Sequence, residues 1–298
     1  MGSTLFAVAL PLALGIVMFG LGLTLTIDDF TRVVKHPRTA VIALLCQVVV
    51  LPLICFGLVH LFGLDGVLAV GMMLLVASPG GTSANLFSHI AGGNVALNIT
   101  LTAINSVLAV FTLPVVVAVS YAVFLDDSAA VVFHPAKFVQ VFVLVLAPVT
   151  VGMWVRSRYP DWSRRMQPKV KAAAAVVLVF VVLAALFSEL DTVAGHLGEV
   201  GLIALLLSTC SLLIGYLVPR ALGVERADAI AAGMEIGVHN AALAITVATT
   251  VLDNEAMAVP AALYGFLMNI PASIAAVLFA GSGRADRTSG SSGALPQR

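Results

Sequence analysis

Apolar runs of about twenty residues, parted by short clusters of charged and turn-forming residues, divide this chain from end to end. A helix needs about 20 mostly apolar residues to cross a bilayer. The pattern predicts nine such segments, at 5–25, 39–62, 66–90, 94–123, 135–156, 170–190, 199–220, 227–252 and 256–280. Two of them are interrupted. The third carries Ser78-Pro79-Gly80-Gly81-Thr82-Ser83-Ala84-Asn85, and the eighth carries Glu235-Ile236-Gly237-Val238-His239-Asn240. Pro79 removes a backbone donor and clashes with the preceding turn, and Gly80 and Gly81 relax the chain further. Gly233 and Gly237 loosen the second break. Unwound backbone at membrane depth must be buried in protein or line a watery cavity. Paired breaks in two halves of a membrane chain point to a transporter's binding site.

Composition agrees. With 60% hydrophobic and 10% charged residues among 298, the chain is too apolar for a soluble domain. The fold class is therefore an all-α polytopic membrane protein. Residues 1–25 lack a cationic start, so they read as a spanning helix rather than a signal peptide. Lys and Arg accumulate in cytoplasmic loops, and they sort cleanly here. Arg32, Lys35 and Arg38 fall in the first connection, and Arg156, Arg158, Arg164, Arg165, Lys169 and Lys171 in the fifth. Arg220 and Arg226 fall in the seventh, and Arg284, Arg287 and Arg298 in the tail. Among the alternate connections, which carry Asp65, Asp126, Asp127, Glu189, Asp191, Glu199, Asp253 and Glu255, Lys137 is the only cation. The N-terminus is expected outside and the C-terminus in the cytoplasm of a cell (plasma or inner) membrane. A net charge of zero carries no message about partners, and the lipid bilayer rather than nucleic acid forms the expected surroundings. Cys46, Cys55 and Cys210 lie in apolar spans without metal-ligand spacing and read as small buried hydrophobes.

The breaks read as counterparts in an inverted repeat. Residues 1–123 form the first repeat with four helices, 135–280 the second with five, and 281–298 a disordered cytoplasmic tail. In that arrangement Asn85 and Asn240 approach each other near the midplane, where half-helix ends present dipole charge to ligands. Glu235 is the one formally charged residue well inside a predicted span. Burying a carboxylate there costs about 3 kcal/mol on insertion scales, so it is expected to have a use. It could be neutral, paired with His239 one turn on, or bound to a cation. Oxygen-bearing residues gather around it: Thr82, Ser83, Asn85, Asn98, Thr100, Thr102, Asn105 and Asn240. Hard cations such as Na+ favour such oxygens. Asn98 and Thr102, four apart, share a helix face. Trp154 and Trp162 flank a connection as interfacial anchors.

Four stretches carry a resemblance. Leu14-Gly15-Ile16-Val17-Met18-Phe19-Gly20-Leu21-Gly22-Leu23-Thr24-Leu25, Ser78 to Thr82, Gly93-Asn94-Val95-Ala96-Leu97 and Glu235 to Asn240 resemble the bile acid:sodium symporter family, in order, from about residue 12 to 275. The resemblance implies two inverted repeats forming a panel and a core domain, with the broken helices crossing in the core. The core would take in about 66–123 and 199–252 plus adjoining helices, and nine helices would leave the first repeat one short. It implies Na+-driven symport of a small organic anion, bile-acid-like, pantoate-like or another monocarboxylate, for which a monomer suffices. A first sodium site maps to Ala84, Asn85, Asn98, Thr102 and Glu235. Ala84 there replaces a serine and keeps only its carbonyl, and Asn98 replaces another with an amide. A second maps to Gln47, Glu235, Ile236, Val238 and His239. His239 stands where the family has glutamine, and imidazole is a poor Na+ ligand. Substrate contacts map to Thr82, Asn240 and Asn269.

Two other readings remain open. Glu235 and His239 could couple transport to protons, or act as acid and base in an intramembrane enzyme, although HExxH and GxSxG are absent. Sodium dependence of uptake separates the first from a sodium symporter; turnover without a gradient would mark the second.

Overall fold

The computed structural model describes residues 2–28, 37–125, 135–188 and 190–291. Arg32, Lys35, His36, Asp126, Asp127, His134, Glu189 and Arg298 lie outside the described residues. The chain is built almost wholly of helix. In order these are α1 Gly2–Gly22, α2 Pro37–Leu61, α3 Gly66–Val76, α4 Thr82–Ile90, α5 Val95–Phe124 and α6 Pro135–Arg158. There follow α7 Pro160–Ser188, α8 Leu190–Ala221, α9 Arg226–Gly237, α10 Ala241–Val251, α11 Ala258–Leu267 and α12 Asn269–Ser291. Among the described residues, four helices are long and apolar enough to cross a membrane: Pro37–Leu61, Val95–Phe124, Leu197–Ala221 and Ala258–Gly281.

Three boundaries depart from the hydropathy reading. α7 starts at Pro160 rather than near 170, so Tyr159 alone parts it from α6. Hydropathy marks where a helix is apolar, while Pro160 marks where it starts, since proline suits a first turn whose N–H has no helical partner. Arg164, Arg165 and Lys169 thus ride on a helix rather than a loop. α8 likewise begins at Leu190, ahead of the apolar stretch. The last helix runs on to Ser291, into the stretch expected to be disordered. Extending an existing helix avoids the cost of a new nucleus.

α3 and α9 occupy the centre. Every residue of α3 from Leu68 to Val76 is buried, as is every residue of α9 from Asp228 to Gly237. α3, apolar all round, has no face to offer water and is enclosed by its neighbours, whereas α9 buries Asp228 and Glu235 along with its apolar residues. α3 packs on α5 and α11, and α9 on α8, α4 and α5. α1 packs instead on α6 and α7. The α1–α6 crossing is close because both helices place glycine there: a Cβ on Gly22 or Gly152 would overlap the other helix's backbone. Small residues permit such approach in membranes. Arg156 then donates to the end carbonyls of α1, Leu23 and Thr24.

The connections entering α3 and α9 share one hydrogen-bond pattern. Phe62, Gly63 and Leu64 donate backbone N–H groups to Leu58, His60 and Val59, and Leu222, Gly223 and Val224 donate to Val218, Arg220 and Pro219. Gly63 and Gly223 both take positive φ, at 64° and 80°, as a helix-ending glycine does. α2 and α10 each contain a π turn, Cys46–Val50 and Val247–Val251. The first lies just ahead of Pro52, whose missing N–H disturbs the regular ladder, and it carries Gln47.

Candidate functional site

The two breaks cross and satisfy each other. Gly81 N–H donates to Val238 O at 2.7 Å, and Asn240 N–H donates to Pro79 O at 2.8 Å, so Gly80 and His239 face each other as an antiparallel bridge. Each unwound segment supplies the partners that the other needs, which is how irregular backbone survives at membrane depth. Asn240 is thus part of the crossing, while Asn85 sits in the first turn of α4. Asn240 also turns its Oδ1 back to cap α10, accepting from Leu243 N–H at 3.1 Å.

Glu235 lies directly beneath the crossing and is fully buried. Thr102 Oγ1 donates to its Oε2 at 2.5 Å, Asn105 Nδ2 to its Oε1 at 3.2 Å, and the Gly80 N–H also bonds to it. Its neighbour above is therefore glycine by necessity: a Cβ on Gly80 would overlap the carboxylate carbon and both oxygens. Asn98, four residues before Thr102, donates from Nδ2 to Ala231 O at 2.7 Å. That bond fixes its amide orientation and leaves Oδ1 without a donor, as are the buried Oδ1 atoms of Asn85 and Asn105 and Oε1 of Gln47. Four buried amide oxygens thus lack donors on the elements that meet at the crossing, and the Asn105 amide is bonded to the carboxylate itself. Each unmade bond costs about 1–3 kcal/mol unless something electropositive meets it. An all-oxygen set of this kind matches a hard cation.

The residues expected for the first sodium site come together in part by direct bonds: Thr102 and Asn98 on α5 face Glu235 and Ala231 on α9, and Ala84 and Asn85 lie in the opening turn of α4, which packs on α9. Those expected for the second are arranged differently. Val238 O is taken by Gly81 N–H. His239 makes no pair with Glu235: its Nδ1 lies 3.0 Å from Tyr264 Oη and its Nε2 3.4 Å from Gln47 Nε2. Tyr264 Oη also lies 3.0 Å from Gly237 O, and the His239 ring bonds the Val76 carbonyl as well, so the imidazole is held by protein partners on both sides. Of the expected substrate residues, Thr82 opens α4 and Asn240 stands at the crossing. Asn269 instead bonds back to Gly265 and Phe266 carbonyls, closing the junction between α11 and α12.

Tyr264 escaped the sequence reading. Its signal was a phenol inside an apolar helix, which needs a partner when buried. Asn105 stood among the gathered oxygens without a role of its own. The cysteines are free, with Cys46 and Cys55 buried.

Broken helices crossing over a buried acid, in an all-helical chain with apolar spans, define a multi-pass membrane protein. A family model described as the Sodium Bile acid symporter family matches residues 11–196, and the chain belongs to that family. It is 29% identical over 267 residues to a Bacillus subtilis (strain 168) protein described as an uncharacterized sodium-dependent transporter, YocS, covering 88% of this chain and 80% of that one. It is 29% identical over 263 residues to the "Probable sodium/metabolite cotransporter BASS1, chloroplastic" of Arabidopsis thaliana, covering 88% of this chain and 64% of that longer protein. Against the human ileal sodium/bile acid cotransporter it is 25% identical over 247 residues, covering 82% of this chain and 70% of that one.

Proposed function

We propose that this chain is a secondary active transporter that couples Na+ to a small organic anion by alternating access. One observation carries the reading: the fully buried Glu235 carboxylate under the mutual crossing, bonded by Thr102 and Asn105, with donor-less amide oxygens on the neighbouring elements. Na+ is a cargo ion here, held by Asn85, Asn98, Thr102, Glu235 and the carbonyl of Ala84. The relatives' sodium dependence supports this assignment.

The anion sits on the other side of the crossing, against Thr82, Asn240 and the start of α4. Asn240 has committed its oxygen to capping α10, so it offers the substrate N–H groups, the polarity that a carboxylate requires. The N-terminus of α4 adds backbone donors and a favourable dipole. A monocarboxylate, pantoate-like or bile-acid-like, is the substrate class. Asn269 would have to release its helix carbonyls to take part. The shared caps before α3 and α9 and the paired breaks support an inverted repeat, and the grouping of α1 with α6 and α7 supports a panel moving against a core. The N-terminus lies outside the cell membrane and the C-terminus in the cytoplasm. Sodium is favoured over proton coupling through Glu235 and His239, because the hydrogen bonds of the two side chains run to different partners.

A thermal-shift panel of small organic acids tests the reading, since a ligand stabilises the state that it binds, by about 2.7 kcal/mol at a hundred times Kd. At least one acid should raise the melting temperature further in Na+ than in K+. Equal shifts in both salts for every acid would contradict it.

A further inference from the structure

We propose that the cation-rich end of the α1, α6 and α7 group holds a phosphate site whose occupant is an anionic phospholipid, seated on Arg156 and Arg164. The site stands apart from the crossing: none of the described residues that line it comes from α3, α4, α9 or α10. It therefore does not depend on the transport reading.

Three helix ends meet here. α1 stops at Gly22 and α6 at Arg158, and α7 starts at Pro160 with Tyr159 between them. A cavity of about 780 Å³ opens among these ends. Leu23, Leu25 and Met153 give it an apolar wall, while Arg156 and Arg164 give it two cations. An apolar wall beside paired cations complements an amphiphile with an anionic head, not a small soluble ion.

Arg156 is held ready. Its Nη1 donates to the carbonyls of Leu23, at 3.2 Å, and of Thr24, which fixes the guanidinium in the cavity wall. Among the described residues its Nη2 and Nε groups meet no acceptor, so their N–H groups remain for a ligand. Arg164 is bonded to Asp161 at 2.6 Å, with the two side chains 76% and 79% exposed. An exposed pair of this kind contributes little and yields to a better acceptor. Asp28, the one acid among the described lining residues, already has a partner. Guanidinium forks match phosphate oxygens in charge and geometry.

The surroundings decide where that phosphate comes from. Trp154, Tyr159 and Trp162, all exposed, gather at the same junction. Amphipathic rings in this position mark the headgroup level of a bilayer. Arg158, Arg165 and Lys169 lie on the same two helices without lining the cavity, and add positive charge around it. Basic pockets between spanning helices on the cytoplasmic side take anionic lipid headgroups. Because Arg156 binds the end of α1 and Arg164 belongs to the first turns of α7, one bound lipid ties the two together.

The chain has two tryptophans, and with Trp162→Phe only Trp154, which lines the cavity, reports. In phosphatidylcholine vesicles holding the full chain, brominated phosphatidylglycerol should half-quench Trp154 at a lower lipid fraction than brominated phosphatidylcholine does. Arg156→Gln and Arg164→Gln should each raise that fraction about fivefold, the weight of one cation near an anionic lipid. Arg158→Gln with Arg165→Gln, an equal loss of charge outside the lining, should leave it nearly unchanged. Should Arg156→Gln fail to fold for want of its bonds to α1, Arg164→Gln carries the test. Equal quenching by the two lipids, or equal losses in the lining and control variants, would reduce the effect to general surface charge and overturn the proposal. Relief of quenching by inorganic phosphate would give the cavity to a soluble anion and overturn the lipid as occupant.

Discussion

Glu235→Gln is expected to abolish Na+-dependent stabilisation and transport while leaving the fold intact. The substitution removes the one formal charge at the crossing but keeps the shape. Thr102 Oγ1, which now donates to Oε2 at 2.5 Å, can donate equally to the glutamine oxygen. Asn105 would turn its amide to meet the new NH2 with its oxygen, so few bonds are lost. The fold should lose about 1 kcal/mol, the worth of an ordinary hydrogen bond. The cation should lose far more, about two orders of magnitude in affinity, because ligand charge count sets affinity for hard cations. Melting curves across a Na+ titration separate the two effects: near-wild-type melting in K+ with a flat response to Na+. A variant that still melts higher as Na+ rises would remove Glu235 from the ion's coordination.

Gly80→Ala should be strongly damaging for a single added methyl. Its Cβ would overlap the Glu235 carboxylate, and nothing nearby can give way. The carboxylate is pinned by Thr102 and Asn105, and the backbone on either side of Gly80 is bonded across to Val238 and Asn240. Overpacking a rigid site costs about 1–3 kcal/mol, and this one should reach the upper end. The variant should melt several degrees lower and lose its response to Na+. Gly57→Ala is the matched control. Gly57 lies on an exposed face of α2 with open space at its Cβ, so alanine there should be neutral or slightly stabilising, as helix propensity dictates. Equal behaviour of the two variants would refute the packing argument.

What the sequence made legible follows from what one dimension can carry. Pro79, Gly80 and Gly81 announced the first break because they act on their own backbone, and Glu235 announced the site because a carboxylate in an apolar span has no local excuse. Thr102 was found by its four-residue spacing from Asn98, a property of one helix. The sequence could not say that Pro79 would pair with Asn240 and Gly81 with Val238. Those bonds join residues about 160 positions apart. His239 shows the same limit. Its nearness to Glu235 along the chain suggested a pair, yet the fold turns it to Tyr264 and Gln47, both on other helices. Asn105 was visible as an oxygen but not as a partner, because its worth depends on which of its two amide atoms the fold occupies. Helix starts at Pro160 and Leu190 were missed because charged residues lengthen a helix beyond its apolar part without entering the hydropathy count.

The central claim is that the crossing converts a sodium gradient into movement of an organic anion. Uptake into proteoliposomes reconstituted with the wild-type chain, using an acid identified by the melting panel, tests it most directly. An inward Na+ gradient should drive accumulation of that acid above its external concentration, and replacing Na+ with K+ should reduce uptake to the level of protein-free vesicles. Accumulation that proceeds equally in K+, or that follows an imposed pH gradient with no Na+ present, would contradict the account.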